Sequence, residues 1–500
     1  MTIADQQVGP KSDSDICDLK SEGWDLLVVG GGTAGIVGAK TAASFGARVL
    51  LVERDRTGGD CLWTGCVPSK SLLAAAAAAA DARVATRFGV HTGDVQVDFT
   101  QVMAHVRTAI AAIAPTDSVA ALEAAGVHVV TGNLTFTGAH TADVDGRAVT
   151  FAQALVATGA APAIPPIDGL ASARALTSDT VWDLASLPER LLVLGGGSIG
   201  CELGQAFARL GSQVTIIEGT DRLLPREDAA ASAVVAAVLT LEGVRVLTGA
   251  PVVAVDATDG PDNRGHLRLQ DGSRVEYDEL LVAVGRAPRT ASMGLAAAGV
   301  DVDQRGFVVV DKHLRTTNRH IWAAGDLTGH PHFTHIAGVH GSLAASNAIL
   351  GLRRAVDTTT IPRVTFTHPE VAAVGVSTEQ AHTRDDLTLL EWGNEHLDRA
   401  VIEGATLGFT RLVVDAKGKV VGATVVGPRA GETLGELTLA IRHGLSTRDL
   451  AGTTHAYPTY NDGPWNAAIV DVRSRLNAPA TARATRALAA LRRRWVGGRR

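Results

Sequence analysis

The stretch Asp25-Leu26-Leu27-Val28-Val29-Gly30-Gly31-Gly32-Thr33-Ala34-Gly35 decides the fold. A short apolar run stops at three glycines, and a helix-like stretch follows with Ala39 tight against the turn. Val49-Leu50-Leu51-Val52-Glu53 then reads as a buried strand that ends in an acid. Strand, glycine turn, helix, strand, acid is the order of a dinucleotide-binding unit. Gly30, Gly32 and Gly35 let the backbone approach a pyrophosphate, and the helix N-terminus adds unpaired N–H groups and positive potential. Glu53 can accept hydrogen bonds from an adenosine ribose. The pattern then repeats. Leu191-Leu192-Val193-Leu194 runs into Gly195, Gly197 and Gly200, and Val214-Thr215-Ile216-Ile217 ends at Glu218. Gly204 takes the close-packing place of Ala39, and Cys201 reads as helix packing. Two copies in one chain predict an α/β fold with two Rossmann-like domains and two bound dinucleotides.

Between the copies lies Gly58-Gly59-Asp60-Cys61-Leu62-Trp63-Thr64-Gly65-Cys66-Val67-Pro68-Ser69-Lys70. Four residues separate the cysteines, so the first turn of a helix can bring their sulfurs together. Such a pair is a two-electron switch whose thiolate is the nucleophile. Two buried cysteines in a helix, or half of a zinc site, are the bland alternatives; no second Cys/His pair at ligand spacing accompanies the pair, and no metal is expected.

Five hundred residues call for two to four domains. Hydrophobic content of 46% and charged content of 20% fit a soluble globular protein, and a net charge of −6 argues against nucleic-acid binding. The four cysteines, Cys17, Cys61, Cys66 and Cys201, are too few for a secreted disulfide scaffold; one redox pair in a reducing cytoplasm fits better. The polar segment 1–22 reads as a mobile tail holding Cys17, with no signal peptide, and the alanine run Leu72–Ala80 is too short to span a bilayer.

The cysteine segment resembles the active site of the flavin-dependent pyridine nucleotide–disulfide oxidoreductases, which include glutathione reductase, dihydrolipoamide dehydrogenase and mercuric reductase. Other motifs extend the resemblance from about residue 23 to 470. It implies FAD at the first glycine unit and NAD(H), with NADP(H) as the alternative, at the second. It places Lys70 beside the flavin ring and pairs it with Glu202. Gly132 resembles a backbone contact to the adenine end of the flavin, and Thr158-Gly159 the exit from the first flavin segment. Gly285 lies in the run that closes the nicotinamide domain, where Arg289 stands in place of the family's usual asparagine. In Gly325-Asp326 the aspartate would bind the ribityl chain, and His335 and Ala337 would open the helix below the ring. Cys66 would be the thiolate beside the flavin and Cys61 the thiol that attacks substrate. The implied domains are a first FAD segment at 23–170, the nicotinamide domain at 171–295, a second FAD segment at 296–360 and an α+β dimerisation domain at 361–475, followed by a basic tail at 476–500. A homodimer with active sites shared between subunits and a small-molecule electron acceptor follow from the same resemblance.

One departure bears on substrate. Family disulfide reductases place an acid/base histidine just before Pro-Thr, oriented by a later glutamate. Here those positions are Tyr457 and Asp462, and His455 comes two residues early. Tyrosine, with a pKa near 10, is about a thousandfold scarcer than histidine as a base at pH 7. Mercuric reductase resembles this chain at the tyrosine but carries a C-terminal cysteine pair, and nothing after Cys201 is a cysteine. A metal or quinone reductase, and a non-catalytic redox sensor, are therefore the alternatives to a disulfide reductase. Arg483–Arg500 holds seven arginines and no acid, with Leu488, Leu491 and Trp495 on one helical face. Such a helix can rest on a membrane surface, although a solvated tail is the simpler expectation.

Overall fold

The computed structural model describes residues 23–257 and 264–497; Cys17 and the tail 1–22 lie outside them, as do residues 498–500. Two units emerge from the contacts: 1–221 with 240–356, and 222–239 with 357–500.

The first unit is built on strand β1 (Trp24–Val29), helix α1 (Thr33–Ser44) and strand β2 (Val49–Glu53). β1 pairs in parallel with β2 on one side and with strand Arg147–Val156 on the other. Leu26, Leu27 and Val28 are fully buried, as an unbroken apolar run must be when both faces of a parallel sheet are covered. Each contributes roughly 1.5–3 kcal/mol by leaving water. Strand Ile321–Ala323 joins the same sheet, in parallel beside Arg147–Val156. The second glycine unit lies in a five-stranded sheet, all of whose pairings are parallel, with Arg190–Leu194 between Gln213–Ile217 and Glu279–Val282. The two domains are linked by a short antiparallel pair, Ala160–Pro162 with Arg286–Pro288.

The two glycine turns repeat each other in detail. Gly30 and Gly195 have φ of +106° and +114°, values that favour glycine. Each N–H donates to a carbonyl at the end of the neighbouring strand, that of Val52 or Ile217, the residue before the terminal acid, at 2.8 Å. A Cβ on Gly35 or Gly200 would collide with the carbonyl of Gly30 or Gly195, which explains the third glycine of each motif.

The second unit carries a five-stranded antiparallel sheet, Arg363–Thr365, Glu370–Gly375, Val420–Gly427, Phe409–Asp415 and Leu387–Gly393 in spatial order. Helices Ala430–His443 and Asp462–Asn477 pack on it. Residues Arg222–Leu239, expected within the nicotinamide domain, group with this unit. Ion pairs account for that grouping: Arg363 Nε meets Glu227 Oε1 at 2.9 Å, and Arg411 binds the buried Asp228. Among the described residues no helix is long and apolar enough to cross a membrane.

Candidate active site

The cysteines sit on two successive helices rather than within one. Cys61 lies in helix α2 (Gly59–Trp63), and Cys66 is the first residue of helix α3 (Cys66–Val84). Local hydrogen bonds shape the turn: Thr64 N to Asp60 O (3.0 Å), Ser69 N to Gly65 O (3.0 Å) and Trp63 Nε1 to Thr57 O (2.7 Å). Gly65 is needed there because a Cβ would come within 2.8 Å of Asp60 O.

Both cysteines are unbonded thiols here and hydrogen-bond to each other. Accepting that bond from Cys61 lowers the Cys66 pKa to about 6. Burial opposes the shift, while the Thr334 hydroxyl at 3.2 Å and the Lys70 charge support it and Glu202 opposes it. The helix N-terminus favours the same thiolate. Cys61 moves far upward, because the bond to Cys66 and then burial both favour its neutral thiol. The pair is thus asymmetric, with a thiolate on α3 and a protonated thiol on α2. Burial also raises the Cys201 thiol, whose Sγ faces Gly196 O at 3.3 Å, in keeping with packing.

Lys70 follows Cys66 by four residues and so shares its helix face. Its Nζ meets Glu202 Oε2 at 2.8 Å, with the Glu202 side chain buried. The structure therefore brings together Cys61, Cys66, Lys70 and Glu202, and adds Thr334, the first residue of helix Thr334–Leu350, which no sequence motif singled out.

Glu53 and Glu218 play matching parts. Glu53 accepts from Gly31 N (2.6 Å) and Asp55 N (2.9 Å), and Glu218 from Gly196 N (2.7 Å) and Thr220 N (2.8 Å). The helices after the turns begin at Gly32 and Gly197 with no side-chain cap, which leaves backbone N–H groups for a pyrophosphate. Gly132 N donates to Glu53 O (2.8 Å), and Thr158 Oγ1 to Arg289 O (2.7 Å); Gly159 and Gly325 have φ of +69° and +87°. Gly285 has φ of +140° with open space where a Cβ would stand. Burial raises the Asp326 carboxyl, against the pull of His332 and Arg286. Its Oδ2 lies 3.8 Å from Arg286 Nε, a buried donor with no hydrogen-bond partner. That orphaned donor and the uncapped helix starts fit a bound dinucleotide phosphate.

The C-terminal candidates each engage a different partner. Tyr457 is 71% exposed and donates to Asp398, whose charge raises the phenol pKa further. His455 faces Thr453 O with Nδ1 (3.0 Å) and Glu436 Oε1 with Nε2 (2.9 Å), so both ring nitrogens already have a partner within the chain. Asp462 is buried and accepts from Thr459 N at 3.2 Å, closing the turn before its helix. Glu436 and Asp398 are the partners that sequence reading missed; they lie 19 and 59 residues from the groups they bind. Among the described residues no group of three or more His, Cys, Asp or Glu side chains is placed to hold a metal.

Fold and site together define a two-dinucleotide oxidoreductase with a thiol pair. Residues 24–341 match the family model for pyridine nucleotide-disulphide oxidoreductase, and residues 361–468 match that family's dimerisation domain. The chain belongs to this family of FAD-dependent, NAD(P)H-using enzymes. It is 40% identical to a mercuric reductase of Streptomyces lividans over 87% of this chain and 94% of that one. It is 34% identical to a dihydrolipoyl dehydrogenase of Chlamydia pneumoniae over 88% and 95%. Among solved structures it resembles a Cu(II) complex of the HOCl-induced flavoprotein disulfide reductase RclA from Escherichia coli, with TM-score 0.81, 27% identity, and 90% and 100% coverage.

Proposed function

We propose that this chain moves electrons from NADH through FAD to the Cys61–Cys66 pair and on to an activated disulfide. Bound FAD supplies the conversion of nicotinamide hydride into an electron pair for the disulfide. Gly30, Gly32, Gly35, Glu53 and Asp326 would hold it, and Lys70, fixed by Glu202, would keep a positive charge near Cys66. The reduced pair then acts by thiol exchange. Cys61 gives up its proton, its sulfur attacks one substrate sulfur, and the first product thiolate leaves and is protonated. Cys66 thiolate attacks the Cys61 sulfur, releases the second product thiolate and restores the disulfide.

The observation that carries this reading is the asymmetric hydrogen-bonded pair, Cys61 to Cys66, backed by Thr334 and Lys70. The acceptor class follows from the base. Tyr457 and His455 already have partners within their own chain, and Cys61 hydrogen-bonds to the Cys66 thiolate, which can accept its proton. A thiolate near pKa 6 is a weak base, which disfavours disulfides with poor leaving groups. Thiophilic metal ions are the second reading, supported by the mercuric reductase relatives and the Cu(II) complex of the structural neighbour.

NADH oxidation by wild type, Tyr457→Phe and His455→Ala tests this with lipoamide, glutathione disulfide, an aromatic disulfide, a quinone and mercuric ion. The aromatic disulfide should turn over at least tenfold faster than lipoamide, and Tyr457→Phe should leave that ratio unchanged. Rapid lipoamide turnover abolished in His455→Ala would show that the base had moved to His455 and sink the acceptor argument.

The homodimer would place the segment around Tyr457 at the partner's cysteines. Four cysteines with one redox pair support a reducing, cytoplasmic setting. The arginine-rich helix Pro479–Gly497, with its exposed apolar stripe, supports contact with an anionic lipid surface.

A further inference from the structure

Two side-chain links run from the second dinucleotide segment to the turn that carries the cysteines. Trp182 is 4% exposed, and its indole N–H is shared between Thr64 O (2.9 Å) and Ser178 O (2.8 Å). Thr64 lies between the two cysteines, so this bond fixes the loop from the nicotinamide side. The second link is ionic. Asp60, the residue before Cys61, binds Arg289 Nη1 through both carboxylate oxygens (3.1 and 3.2 Å) and also pairs with Arg286. Arg289 Nη2 continues to Asp179 Oδ2 at 3.4 Å, next to Ser178. The Arg289 backbone is itself anchored, N to Gly159 O (3.0 Å) and O from Thr158 Oγ1 (2.7 Å). A planar guanidinium that bridges two carboxylates transmits position as well as charge. Arg289 is also the position where the sequence departs from the family's usual asparagine, and the structure gives that departure a partner in Asp60.

We propose that Trp182 and Arg289 are positioning residues that clasp the Asp60–Gly65 turn to the nicotinamide segment and so set the Cys61–Cys66 geometry. The proposal rests on the reading of that pair as the redox relay. Neither residue reacts. Trp182 holds the backbone between the cysteines, and Arg289 holds the residue in front of the nucleophile. If the turn is loosened, the Cys61 hydrogen bond to Cys66 weakens, and both the thiolate and the disulfide equilibrium move with it.

The test uses the full-length, FAD-loaded protein equilibrated against reduced and oxidised dithiothreitol, with thiols at Cys61 and Cys66 counted by alkylation and mass spectrometry. Wild type is compared with Trp182→Phe, Arg289→Asn, Asp60→Thr and the double variant Asp60→Thr/Arg289→Asn. Each single variant should change the dithiol–disulfide equilibrium constant at least threefold and move the pH midpoint of Cys66 alkylation upward. The double variant should shift the equilibrium no further than the larger of its two single variants, the non-additivity of a coupled pair. Trp182→Phe removes the N–H donor while keeping an aromatic ring in the core, so it reports on the clasp with less loss of packing than an alanine would cause. Unchanged equilibrium constants and midpoints in all single variants, even with a lowered Tm, would reduce both residues to scaffolding and overturn the proposal. A different failure, no thiols gained by wild type at any dithiothreitol ratio, would overturn the redox-relay reading itself.

Discussion

Cys66 owes its thiolate character to groups that can be removed one at a time. The hydrogen bond from Cys61 favours the charged sulfur most, and Thr334 and Lys70 add to it, while burial and Glu202 oppose it. Its pKa of about 6 lies below the ordinary thiol value, so the thiolate fraction rises as pH climbs through 6 and is nearly complete at pH 8. The rate of iodoacetamide alkylation at Cys66 in reduced protein should therefore rise with a midpoint near pH 6. Lys70→Met and Thr334→Val should move the midpoint up, and Glu202→Gln should move it down. An unshifted midpoint in Lys70→Met would remove the lysine from the account. The cysteines, Lys70 and both strand-end glutamates were legible in the sequence because each sits a fixed few residues from a glycine turn or from another motif residue. Thr334 was not, since 268 residues separate it from Cys66 and only the packed helix places its hydroxyl there. The departure at Arg289 was visible, but its partner Asp60 lies 229 residues away and carries no pattern that names it. The tyrosine at 457 was visible too, whereas its tie to Asp398 depends on folding of the C-terminal unit.

At the level of elements, the two strand–turn–helix units are nearly the same object, and their chemistry is separated by what surrounds the second strand. Glu53 and Glu218 each brace their own glycine turn and the residue two positions on. A carboxylate there binds a ribose 2′-hydroxyl and repels a 2′-phosphate. Arg222, four residues after Glu218, donates to Pro225 O and Glu227 O. NADH should thus be preferred over NADPH in kcat/KM, and Glu218→Arg should narrow or reverse the ratio, chiefly through KM. Higher efficiency with NADPH in wild type, and no gain for it in Glu218→Arg, would contradict the argument. These units could be read from sequence because hydrophobic runs, glycines and acids fall within about 30 residues. The grouping of Arg222–Leu239 with the C-terminal unit could not, because it rests on Glu227 and Asp228 finding Arg363 and Arg411, 136 and 183 residues away.

Over the whole molecule, the net charge of −6 conceals a sharply basic end. No acid follows Asp471, and helix Pro479–Gly497 carries Arg483, Arg486, Arg492, Arg493 and Arg494. Helical spacing puts Leu488, Leu491 and Trp495 on one face and Arg483, Arg486, Arg493 and Arg494 on the other. The three apolar residues are 66%, 62% and 53% exposed, and Arg492 stacks over the Trp495 ring with its Cζ 4.7 Å from the centroid. A solvated tail needs no such stripe. On the proposed reading, an anionic bilayer surface would take the apolar face into the headgroup boundary and would attract the arginines by about 1 kcal/mol each at low salt. Full-length protein should cosediment with phosphatidylserine-containing vesicles and not with neutral phosphatidylcholine ones, and about 0.5 M salt should release it, because screening shortens the reach of surface charge to a few ångströms. Trp495→Ala should weaken binding even at low salt, since it removes apolar contact rather than charge. A chain ending at Ala478 should stay in the supernatant while keeping its FAD and its NADH oxidation. Equal sedimentation of the full and shortened chains, or equal binding to neutral vesicles, would return the helix to the status of a solvated tail.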